Sequence, residues 1–259
     1  MIKWFLIFLL VSCSQDSFED IQKDGTLRVA MRNSPKSYYL DKQGNPSGFE
    51  YDLASKFAKD HGLKLQVESY DTLSNLLSQA SDDHVHLLAS NLTRTLNREE
   101  RYLFGPDYKE VKQYLVCHKK STARSLNELN KANIFVSNLS SYHDFLKSKN
   151  VDSFIVSDES TEMLLKRVWE NKKDCTLSDS NIFNVFRRFY PELDRKKTLS
   201  SVNLAWIIPK SYSSLQNVVN EWFQKKSTKK AVETLWSQYF SHTKKFDYYD
   251  TKVFKKRIR

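Results

Sequence analysis

Short apolar runs of strand length alternate with runs of helical period along most of the chain, and this alternation limits the fold more than any other feature. Residues 27–31 read as a strand after a Gly25 turn. Gly48-Phe49-Glu50-Tyr51-Asp52-Leu53-Ala54 opens a helix with Phe49, Leu53, Phe57 and Ala58 on one face, and Gly62 ends it. Residues 64–70 alternate as a strand, 73–80 are helical, and 85–89 and 111–117 are strands. A second unit follows: a short helix at 125–129, strand 133–137, helix 142–148, strand 153–156, and a Ser160-capped helix carrying Met163, Leu164, Val168 and Trp169. Strand 175–179, helix 181–189, strand 202–208 closed by Pro209, and helices 215–223 and 231–240 complete the series. Such an order predicts an α/β protein of two lobes, each a mainly parallel sheet flanked by helices. The boundaries read as lobe 1 over 25–117, lobe 2 over 118–203, and a return to lobe 1 over 204–241.

The start of the chain is an address rather than part of that fold. Lys3 precedes an apolar run from Trp4 to Val11, too short for the roughly 20 residues that span a bilayer, so residues 1–13 read as a secretory signal peptide. Its end, Leu10-Val11-Ser12-Cys13, looks like a bacterial lipobox, which makes Cys13 the expected lipidation site and the membrane a partner through that anchor. Ser14 after the Cys favours the outer membrane. Residues 14–24 read as a polar tether.

Composition removes several function classes. The chain carries 41 Lys and Arg against 31 Asp and Glu, a net charge of +10. In a secreted lipoprotein that excess points to solvated surface, membrane or cell-wall polymer, and not to nucleic acid. All five glycines precede Pro106, so no glycine loop that cradles phosphate is present and no nucleotide cofactor is expected. The six His fall at no metal-ligand spacing, so no metal is expected either. Cys117 and Cys175 each lie in a strand expected to be buried and read as two separate thiols.

The candidate site centres on Thr95-Leu-Asn-Arg98. It follows a strand and precedes an aromatic turn ending at Gly105-Pro106-Asp107-Tyr108. An Arg fork can hold both oxygens of a carboxylate while a Thr hydroxyl completes the ring of hydrogen bonds. Thr95 could instead cap a helix and leave Arg98 on its solvated face. Asp179, at a strand end in the second unit, could hold an ammonium or cap the helix that follows. Tyr38, Tyr39, Phe49 and Tyr142 are candidate cleft-wall aromatics or core residues.

Taken in order, Gly48-Phe49-Glu50-Tyr51-Asp52-Leu53-Ala54, Thr95-x-x-Arg98 and Asp179 resemble the entry helix, carboxylate site and amino-group acid of the type 2 periplasmic solute-binding proteins of family 3. Asn97-Arg98, Gly105-Pro106, Asp174 to Ser180, Tyr190-Pro191-Glu192-Leu193 and Phe246 to Phe254 further resemble the N-terminal module of the membrane-bound lytic murein transglycosylase F family. The resemblance implies a periplasmic module that binds an amino acid or cell-wall peptide and regulates peptidoglycan cleavage. Arg98, Thr95, Asp179, Tyr38, Phe49, Ser140, Ser141 and Tyr142 would be the ligand-binding residues. Leu139-Ser140-Ser141-Tyr142 stands where binding proteins often carry a Gly-Thr turn, which leaves the ligand open.

Residues 242–259 resemble the linker into that family's lysozyme-like domain, whose catalytic Glu has no counterpart here; no catalytic residue is therefore expected in this chain. A front fragment of such an enzyme, and the binding subunit of an amino-acid transporter, remain the competing readings. Peptidoglycan or a transglycosylase domain would be a further partner, and a pocket serving only for docking is also open.

Overall fold

Two five-stranded sheets carry the fold, and the chain passes between them twice. The computed structural model describes residues 17–240, apart from 82–83, 126–127, 129–132 and 152. The expected signal peptide with Cys13, most of the helix at 125–129 and the linker-like tail lie outside the described residues.

The first lobe contains α1 (Phe18–Asp24), β1 (Thr26–Arg32), a separate two-stranded hairpin of β2 (Tyr39–Leu40) and β3 (Pro46–Ser47), α2 (Phe49–Asp60), β4 (Lys64–Tyr70), α3 (Leu73–Ser78), β5 (Leu87–Leu88), α4 (Leu96–Arg101) and β6 (Leu103–Phe104). The second contains β7 (Lys109–His118), β8 (Asn133–Ser137), α5 (Ser141–Ser148), β9 (Ile155–Ser157), α6 (Thr161–Glu170), β10 (Asp174–Asp179), α7 (Ser180–Phe186) and β11 (Leu193–Leu204). The chain then returns through β12 (Ile207–Ile208) and a 3-10 turn (Lys210–Tyr212) to α8 (Ser213–Gln224) and α9 (Lys226–Phe240).

Strand orders are β4-β1-β5-β12-β6 and β11-β7-β10-β8-β9. Pairs β1–β4, β1–β5, β8–β10 and β8–β9 are parallel, as strand-helix-strand crossovers require. The strands on either side of the two crossings, β7 with β11 and β12 with its neighbours, are antiparallel, because one set leaves the first lobe and the other comes back.

Several sequence expectations are corrected. β7 pairs with β10 and β11 in the second sheet, so the first crossing lies between Phe104 and Lys109 rather than near residue 117. The return falls at Ala205-Trp206, which splits the strand expected over 202–208 into the end of β11 and β12. The preceding part of β11 shows little apolar alternation, since most of its side chains are exposed or half-buried, and a pattern search passes over it. Within the expected tether, Ser17 and Asp20 form a capping box that starts α1, and Ile21 is buried.

Cys117 and Cys175 are not separate thiols. They face each other across the antiparallel β7–β10 pair and form a disulfide. Both are buried, as expected, but pairing depends on sheet register, which two isolated strand patterns do not reveal.

The first lobe is centred on Phe57, Trp206 and Trp222. The Phe57 ring meets Trp222 edge-on at 5.2 Å, and Trp206 stacks on Trp222 at 5.8 Å. Each buried indole N–H finds a carboxylate: Trp206 donates to Glu50 and Trp222 to Asp60, both at 2.8 Å. α9 packs on α2, where Tyr239 donates to Asp52 at 2.6 Å and Phe240 lies 5.6 Å from Phe49. Gly48 starts α2 at φ 137°, and a Cβ there would collide with the Ser37 carbonyl, so this turn requires glycine.

Candidate ligand cleft

The carboxyl ends of the parallel strands in both sheets meet at one polar cavity, the position where open α/β sheets commonly hold ligands. β1 ends at Arg32, and the loop after β5 runs through Ser90, Asn91, Leu92 and Thr93. From the other side come Ser137 at the end of β8, Ser140, Ser141 and Tyr142 at the start of α5, Thr161 of α6, and Asp179 at the end of β10. The cavity between them is small, about 40 Å³.

Arg98 is buried in the wall of this cavity at 5% exposure. Its guanidinium donates to the Thr93 carbonyl at 2.7 Å and, across the lobes, to the Leu139 carbonyl at 3.1 Å. Among the described residues, no carboxylate is hydrogen-bonded to it. Burial pulls the Arg98 group below its ordinary value, against the opposing pull of Asp144, Tyr102 and Asp179. An arriving anion would restore what burial removes.

Asp179 stands on the opposite wall at 4% exposure. It occupies the N-cap position of α7, but its carboxylate makes no capping hydrogen bond. Gln113 donates to it at 3.4 Å, and its backbone N–H donates to the Tyr142 hydroxyl at 2.9 Å. Burial raises the Asp179 carboxyl above the usual range, and Lys36, Tyr142, Gln113 and Arg98 offset that only in part.

The predicted residues divide. Arg98, Asp179, Ser140, Ser141 and Tyr142 line the cavity. Ser140 caps α5 by accepting from His143 N–H, while Ser141 donates to Thr93 Oγ1 at 3.2 Å across the lobes and accepts from Gln113. Thr95 does not line it: its hydroxyl accepts the Arg98 N–H at 3.3 Å and caps α4. Thr93, two residues earlier, takes the position expected of it. Phe49 is core, packed edge-on against Trp236 at 5.4 Å, and Tyr38 packs on Tyr51 at 5.6 Å. Both rings lie outside the cavity lining, because the helical face that buries Phe49 turns it toward α9.

Sequence reasoning missed Arg32, Lys36, Ser90, Asn91 and Thr93, all of which line the cavity. Arg32 carried a readable signal: a cation closing an otherwise apolar buried strand. Asn91 did not. It sits at φ 49° because buried Glu50 accepts both its N–H and its Nδ2, and its Oδ1 accepts from Asn181 Nδ2 across the lobes at 2.9 Å.

Comparison with known proteins now decides the family. The model of "Bacterial extracellular solute-binding proteins, family 3" matches residues 27–242. The chain belongs to that family. This family 3 protein is also 29% identical, over 98% of its length, to membrane-bound lytic murein transglycosylase F 2 of Alkalilimnicola ehrlichii. It is 30% identical, over 95% of its length, to membrane-bound lytic murein transglycosylase F of Idiomarina loihiensis. The matches span only 59% and 57% of those relatives.

Among solved structures, a mutant of ArgBP from T. maritima superposes with a TM-score of 0.76 at 21% identity, covering 86% of this chain and 99% of that one. A putative L-cystine ABC transporter protein from Listeria monocytogenes gives 0.75 at 18% identity, with the same coverage of both chains. These likenesses establish the two-lobed periplasmic binding protein fold.

Proposed function

We propose that this protein binds a small amino-acid solute in the cleft, on the outer side of the cytoplasmic membrane. The observation that carries the reading is the placement of Arg98 and Asp179 on opposite walls of one cavity, both buried. Arg98 takes the ligand's carboxylate, with Thr93 and Ser141 beside it, and Asp179 takes the ammonium. A zwitterion held this way bridges the lobes and shifts the population toward the closed state. The names of the structural neighbours, an arginine-binding protein and a cystine transporter component, support this ligand class.

The transglycosylase names of the relatives favour a cell-wall setting, in which solute binding regulates peptidoglycan cleavage and the protein is lipid-anchored through Cys13 to the outer membrane. Cell-wall stem peptides then join free amino acids as candidate ligands, and a transglycosylase domain as partner. The cystine transporter neighbour supports a second reading, a transporter's binding subunit.

Thermal unfolding against a panel of amino acids and muropeptide stems tests the cleft. A ligand at 100 times its Kd adds about 2.7 kcal/mol of stability, a shift of several degrees. The shift is expected to disappear in Arg98→Ala and in Asp179→Ala. A ligand that stabilises both variants as it does the parent would refute the assignment of these walls.

A further inference from the structure

We propose that the cleft selects an amino acid carrying a second, side-chain carboxylate, which Arg32 and Lys36 hold. The inference rests on the reading that Arg98 and Asp179 take the ligand's own carboxylate and ammonium.

Those two residues account for one cation and one anion. Two further cations line the same cavity, Arg32 at 5% and Lys36 at 8% exposure. Arg32 is the last residue of β1; its backbone N–H is held by Ser90 Oγ at 3.2 Å, but among the described residues its guanidinium Nε has no hydrogen-bond acceptor. Among the described residues, Lys36 makes a loose ion pair, 3.5 Å to Oε1 of buried Glu162 at the start of α6. Among the described residues, neither Glu162 carboxylate oxygen receives a hydrogen bond. Burial alone would raise the Glu162 carboxyl, yet Lys36 and Arg32 hold it below the usual range.

The titratable groups around the cavity are Arg32, Lys36 and Arg98 against Asp179, Glu162 and, from α5, Asp144, with Tyr142 held neutral by burial and by Asp179. A neutral zwitterion on Arg98 and Asp179 leaves the buried Arg32 Nε–H without an acceptor, and a buried unsatisfied donor is costly. An acidic amino acid brings a second carboxylate, which supplies acceptors to the Arg32 Nε–H and the Lys36 ammonium. Bidentate Arg–carboxylate pairing is among the stronger charge-assisted contacts available. A neutral amide side chain would bring one acceptor and no charge.

Isothermal titration of the whole chain with L-glutamate, L-aspartate, L-glutamine and L-asparagine tests this. The acids are expected to bind at least about tenfold tighter than their amides. Arg32→Gln is expected to collapse that ratio toward one, and Lys36→Gln to reduce it, whereas Arg32→Lys, which keeps the charge, preserves most of it. Circular dichroism of each variant checks folding, and Lys36→Gln keeps the test decisive if Arg32→Gln does not fold. Amides binding as tightly as acids, or a ratio that survives both Gln variants, would overturn the proposal while leaving the amino-acid site in place. No binding by any of the four, or by other amino acids, would overturn both.

Discussion

The Asn91 side-chain amide and the Glu50 carboxylate lie 2.6 Å apart, and the Asn91 backbone N–H reaches the same Oε1 at 2.6 Å. Tyr108 donates to that oxygen at 2.5 Å and Trp206 to the other at 2.8 Å, so a fully buried carboxylate is surrounded by donors. Through Asn91 and Asn181 the same network reaches the second lobe. Glu50 is thus a support for the cleft floor, although its carboxyl is raised by burial in spite of these donors.

Asn91→Ala removes a hydrogen bond from each lobe and places a residue with no local side-chain hydrogen bond in the left-handed region. The expected loss is about 3 kcal/mol of stability, together with weaker ligand binding. Urea denaturation measures the first part; a change below about 0.5 kcal/mol would mean the network carries no net stability.

The Cys117–Cys175 disulfide closes a separation of 58 residues within the second lobe. Chain-entropy reasoning gives about 4 kcal/mol of stabilisation for such a loop. The Cys117→Ala, Cys175→Ala double variant should unfold at clearly lower denaturant concentration than the oxidised parent. Identical midpoints for the two proteins would show that the bridge does not contribute.

His86 is buried, and its Nδ1 accepts the Arg28 N–H at 3.2 Å, which requires an unprotonated nitrogen there. Burial, and then Arg28, push its pKa from 6.5 to about 4. The unfolded chain therefore binds the proton more readily, and stability is lost as pH falls from 6.5 through 4, by up to about 3 kcal/mol. His86→Asn keeps an acceptor without a titrating ring and should flatten this part of the profile. An imidazole titrating near 6.5 by NMR would contradict the assignment.

Thr95 and Thr93 separate by role. Thr95→Ala should cost about 1 kcal/mol through the lost α4 cap and leave ligand affinity as it was. Thr93→Val should weaken binding, because Thr93 lines the cavity and meets Ser141. Calorimetry on both variants checks the division, and a reversed pattern would restore Thr95 to the ligand site.

Local pattern determined a good deal of this protein. The periodicity of Phe49, Leu53, Phe57 and Ala58 marked α2, Ser160 marked the start of α6, and the ordered set of Gly48, Arg98 and Asp179 marked the family. These signals are local because helix caps, helical faces and tight turns involve residues a few positions apart. Tertiary structure alone decided which strands are neighbours. That choice joined Cys117 to Cys175, moved the first crossing ahead of β7, and put Thr93 rather than Thr95 in the cavity. It also brought Arg32 and Lys36 to the same space as Arg98 and Asp179, from parts of the chain far apart in sequence. Charges gathered by strand order and lobe closure leave no period in the sequence, because what unites them is the low-dielectric cavity they share.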